Sequence, residues 1–147
     1  MSHPRQQIRD ALVTALQALP VTAYNVIPSR VYRIDDTQLP AITIDMPRDV
    51  VTGEASGGIR THELTVELGV HVKAPGDGPQ SYYQTLDEAC ADIEAAMTDS
   101  LGLTLLSVRL QGTEVEYDAE LEQPRAMARM QYAVQYRVNR LAPETLV

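Results

Sequence analysis

The stretch THELTVELGVHVK, residues 61–73, decides how this chain folds. Leu64, Val66, Leu68, Val70 and Val72 alternate without a fault against Thr65, Glu67, Gly69, His71 and Lys73. A period of two places one set on a buried face and the other on a wet face, which is the pattern of a half-buried strand. The break that follows, APGDGP at 74–79, is rich in turn formers and ends the strand sharply.

The same period returns in residues 126–140. Met130, Tyr132, Val134, Tyr136 and Val138 fall on one side there, and Arg129, Gln131, Gln135 and Arg137 on the other. Residues 105–118 alternate more loosely, with Val108, Leu110 and Val115 as inward candidates. Upstream, Leu39 and Pro40 lead into a strand at 39–46, with Ile42, Ile44 and Met46 on one face and Thr43 and Asp45 on the other. The proline can stand only at the start, because it has no N–H to give the ladder. A short strand is expected at 31–34, after a loop at 21–30. Polar turns are expected at 35–38 and 120–123.

Two segments carry the helical period instead. In residues 4–19 the apolar positions Ile8, Leu12, Ala15, Leu16 and Leu19 form one stripe, with Ser2 as N-cap and Pro4 in the first turn. In residues 80–100 the stripe is Tyr82, Leu86, Ala89, Cys90, Ile93, Ala96 and Met97, and Gly102 closes the helix. The order α-β-β-β-α-β-β predicts an α+β fold: a mixed, mostly antiparallel sheet with both helices packed on one face. One domain should span residues 1–147, since a chain of 147 residues is too short for two comfortable ones.

Residues 47–60, PRDVVTGEASGGIR, interrupt this regularity with three glycines and little period. They read as a long functional loop, or as the tip of an extended hairpin whose arms continue the flanking strands. Either form is expected to project from the body.

Composition narrows the function. Twenty acidic against twelve basic residues give a net charge of −8, which disfavours binding nucleic acid through its phosphates. All the bases but Lys73 are arginine, and the aromatic set is seven Tyr with no Phe or Trp. No apolar run approaches the ~20 residues that cross a bilayer, and the first residues lack the apolar core of a secretory signal, so a cytosolic chain is expected. Cys90 is alone, so no internal disulfide can form, and it reads as a small buried thiol.

The search for enzyme chemistry finds little. His62 and His71 are an odd number of residues apart, so a straight strand points them to opposite faces, with His71 solvated. Glu114, Glu116 and Asp118, with Glu120 and Glu122 beyond, could hold a divalent cation, although a solvated acidic edge explains them better. No nucleophile elbow, paired-histidine metal motif, P-loop or dinucleotide turn occurs. The chain reads as no enzyme, with no catalytic, cofactor or metal residue to assign.

Three stretches carry a resemblance to a known family. They are RQQIRDAL at 5–12 with Arg30, Val31 and Tyr32; QLPAITI at 38–44; and Thr52, Gly53 and Glu54 with the strands at 64–72 and 132–138. In order, spacing and length the chain resembles the tail-terminator proteins of long-tailed bacteriophages, the lambda minor tail protein U group. The resemblance implies a structural virion protein that forms a six-fold ring on the finished tail tube, stops tube growth and presents the head-joining surface. It implies as partners further copies of the chain, the tail tube protein and a head-completion protein, with no membrane. DNA would pass through the ring without specific binding. It also implies assembly in the host bacterial cytoplasm and residence at the head-proximal end of the tail. On this reading residues 47–60 lie across a neighbouring subunit, and the interface is expected at Val50, Val51, Thr52, Gly53, Glu54, Gly57, Gly58 and Ile59. A head-completion or neck connector protein is the nearest alternative. A small ligand- or cation-binding α+β domain using the 114–122 carboxylates with His71 is the alternative from another class.

Overall fold

A computed structural model describes residues 2–19, 25–28, 39–73, 79–98, 100–118 and 125–147. The strand expected at 31–34, the turns at 35–38 and 120–123, and Glu120 and Glu122 lie outside the described residues. So does the interval 74–78.

The first helix, α1 (Pro4–Gln17), buries Pro4, Ile8, Leu12 and Leu16 along one stripe. His3, not Ser2, caps it: the His3 Nδ1 accepts the backbone N–H of Arg5 at 3.1 Å. Pro4 at the first helical position has no N–H to leave unsatisfied. A three-residue strand, β1 (Asn25–Ile27), follows inside the interval read as loop. It runs parallel to β2 (Ala41–Ala55), with Asn25 opposite Ala41.

Together β2 and β3 (Ile59–Lys73) form an antiparallel hairpin. Most of the 47–60 interval is therefore strand. Only residues 56–58 turn, and Gly57 and Gly58 both hold positive φ there, at 86° and 78°. A side chain would strain that backbone, which is why glycines stand at the tip. The expectation of a projecting excursion is revised, because β3 stays paired with β5 (Arg125–Asn139) to its very start, Ile59 opposite Asn139. Arg140 donates its backbone N–H to the Gly58 carbonyl at 2.9 Å, tying the tip down.

The second helix, α2 (Pro79–Ala96), ends earlier than its apolar stripe suggests. Leu86, Ala89, Ile93 and Met97 are buried. After Ala96 the Thr98 Oγ1 accepts the Leu101 N–H, and Leu101 and Gly102 both turn to positive φ. β4 (Ser107–Asp118) and β5 then pair antiparallel, and a further strand, β6 (Ala142–Leu146), doubles back on the end of β5. Neither β1 nor β6 is long enough to show a period.

Among the described residues these strands make one sheet in the order β1-β2-β3-β5-β4, with β6 beside β5. Every pairing is antiparallel except β1 with β2. Both helices pack on one face, and the α+β architecture is as the periodicities predict. The core joins Ile8, Leu12 and Leu16 of α1, Leu86 and Ile93 of α2, the even-numbered apolar residues of β3 from Leu64 to Val72, and Met130 to Val138 of β5. Each such aliphatic side chain contributes about 1.5–3 kcal/mol on leaving water. Among the described residues no helix packs on the opposite face of the sheet, the open face.

Candidate functional site

The eight residues expected at a subunit interface all lie on the distal half of the β2–β3 hairpin. They do not form one surface. Val50 pairs with Glu63 and Ile59 with Asn139, so both point to the open face. Val51 pairs with His62 on the helix side, and Glu54 with Arg60, whose Nε lies 3.4 Å from the Glu54 carboxylate. Thr52 is the extra residue at a register shift between Val51 and Gly53. A strand cannot direct a continuous run of residues to one face, so what this segment offers a neighbour is its edge. Val51 is the large apolar group there, at 50% exposure. Among the described residues only β1 lies along the outer side of β2, at residues 41–43.

Beneath this hairpin sits a polar cluster that the alternation conceals. Asp45 faces the open side, and four residues later Asp49 would do the same in a regular strand. A register shift between Asp45 and Arg48 reverses the parity. Pro47 stands inside it, where its missing N–H interrupts the ladder. Asp49 therefore points under the helices with its side chain only 10% exposed. Its Oδ1 lies 3.0 Å from the His62 Nδ1, and its Oδ2 accepts the Tyr136 hydroxyl. The Arg5 Nε of α1 lies 3.8 Å from Oδ2. The His62 ring stacks on Tyr136 with centroids 4.8 Å apart. An ionised carboxylate only accepts, so this contact requires the proton of His62 to sit on Nδ1. Burial, and then the bond to Asp49, push the Tyr136 phenol upward from its ordinary pKa. Burial, then the Arg5 charge, lower that of His3. The cluster satisfies a buried charge and fastens α1, β2, β3 and β5 together.

His62 and His71 do face opposite sides of the sheet, but His71 is buried and not solvated. On the open face it lies 3.4 Å, Nε2 to Oγ1, from Thr43, which is buried as well. Gly69 makes this close approach possible: a Cβ there would stand 2.5 Å from the Thr43 Oγ1 and 3.0 Å from the His71 Nε2.

β4 departs furthest from expectation. Of its three inward candidates only Val108 is buried, while Leu110 is 39% and Val115 44% exposed. The cause is the placement of α2, which packs chiefly across β3 and β5. Residues 109–117 are exposed on both faces. Glu114 and Glu116 share the open face, each 4.0 Å from the Arg129 guanidinium on β5. That arginine answers both carboxylates, and among the described residues no three His, Cys, Asp or Glu side chains converge as a metal site. Among the same residues β4 pairs on one side only, with β5.

Cys90 is half-buried, and burial followed by the Asp87 and Glu94 charges pushes its thiol up to about 11. It stays protonated, and so unreactive, near neutral pH. No helix among the described residues is long and apolar enough to cross a membrane. No protein-family model matches this chain, and no curated protein matches its sequence.

Proposed function

We propose that the chain is a structural protein of a long-tailed bacteriophage or prophage, a subunit of the ring that caps the completed tail tube. The ring stops further addition of tube protein and presents the surface to which the head joins. The work is steric and interfacial, with no bond made or broken by the protein. The observation that carries the reading is the pair of exposed sheet margins, β2 at one end and β4 at the other, with Val51, Leu110 and Val115 standing in solvent on them. A ring of identical subunits requires two different surfaces on each copy, joined head to tail. The likeness of element order and local motifs to tail terminators supports the same reading. A net charge of −8 suits an opening through which DNA moves without adhering.

The partners are then further copies of the chain, the tail tube protein below and a head-completion protein above. The test is to add the purified protein to polymerising tube protein and measure tube lengths by electron microscopy. Tubes that stop short, in proportion to the amount added, are expected. Unaltered growth overturns the reading, and binding to heads without any effect on tube growth reassigns the chain to the neck.

A further inference from the structure

We propose that one copy of this chain pairs with the next through main-chain hydrogen bonds, β4 of the first running antiparallel along residues 44–55 of β2 in the second, so that the sheet continues from copy to copy. This deepens the ring reading and rests on it for the occupant, a second copy.

Topology permits the join. The pairings β2–β3, β3–β5 and β5–β4 are all antiparallel, so β4 runs opposite to β2. Laying β4 beside a neighbour's β2 therefore continues the alternation and keeps both helical layers on the same side. Side chains match on both faces. On the helix side β4 brings Leu110 and Val115, both exposed, and β2 brings Val51. On the open side β4 brings Glu114 and Glu116, and β2 brings the exposed Arg48. With Val115 opposite Val51, Glu116 falls one diagonal step from Arg48, within reach of its guanidinium.

The same charges select against the competing dimer. A two-fold β4–β4 pairing centred on Val115 sets Glu114 of each copy against Glu116 of the other, and like charges opposite one another are destabilising. The favoured contact joins unlike surfaces, which propagates until the rotation between copies closes it.

The experiment uses the full chain with Cys90→Ser to remove the native thiol. Val51→Cys and Val115→Cys together should give disulfide-linked multimers on mild oxidation, and neither should do so alone. In parallel, Arg48→Glu should weaken self-association, read by light scattering, by roughly three- to ten-fold per contact, and Arg48→Glu with Glu116→Arg should restore it. Cross-links from Val115→Cys alone would mean two-fold β4 pairing and overturn the proposal. A discrete assembly that neither cross-links nor responds to the charge changes overturns it too, and leaves the ring reading standing. A chain that stays monomeric at about 1 mM and does not cross-link also overturns it. The tube-length measurement then judges the ring reading independently.

Discussion

Asp49 shows how one buried carboxylate organises its surroundings, and Tyr136 supplies the bond most open to test. Tyr136→Phe removes the hydroxyl and leaves Oδ2, among the described residues, with the Arg5 contact at 3.8 Å. Urea denaturation should show a loss of about 1–3 kcal/mol, the usual cost of stranding a buried acceptor. Tyr132 is the control four residues away on the same strand face. It is buried, but its hydroxyl has no hydrogen-bond partner among the described residues, so Tyr132→Phe should leave stability unchanged or raise it. The same phenols set the alkaline limit. Burial holds Tyr132 up at about 12 and Cys90 at about 11, from ordinary values of 10.0 and 9.0, and raises Tyr136 as well. The folded state therefore keeps protons that the unfolded chain has already lost. Stability should hold to about pH 9 and fall from there to about pH 12, with a shallower fall above pH 10 in Tyr132→Phe. Thermal melts across that range, under reducing conditions, measure it. None of this network was legible in the alternation, because the register shift at Pro47 turns Asp49 to the face opposite the one its spacing predicts.

Among the elements, period was the readable signal, and it was readable only where one face is buried. β3, β5 and both helices each cover a core on one side, and their apolar residues repeat accordingly. Residues 51–57 and 109–117 are exposed on both faces, so the hairpin tip shows no regular alternation. The Leu110 and Val115 of β4 resemble core residues without being so. β1 and β6 are too short to register. The segment expected to project as a long loop or hairpin tip is thus a hairpin held in the sheet, and what it exposes is a strand edge. One contact between elements gives a direct test of register. Gly69 lets β2 and β3 bring Thr43 and His71 together, so Gly69→Ala should cost about 1–3 kcal/mol through overpacking. Gly69→Ala with Thr43→Ala should lose less than the sum of the two single losses, since the clash and its removal share one site. Additive losses would mean that the two strands are not in this register.

For the molecule as a whole, the arrangement of strands matters as much as their number. β3 and β5 are neighbours at the centre of the sheet, Ile59 opposite Asn139 and Lys73 opposite Arg125, yet α2 and β4 lie between them along the chain. Closing so long a loop must precede the contacts that reward it. Refolding monitored by stopped-flow fluorescence of the tyrosines should accordingly fall on the order of milliseconds to seconds, with no microsecond route. Before β5 arrives, Leu64, Val66, Leu68 and Val70 lack the strand that runs beside them in the native sheet. A chain in that condition is open to capture by another like itself. How quickly that single seam closes, more than how well the finished core is packed, sets the yield of correctly made subunits when many chains are synthesised at once.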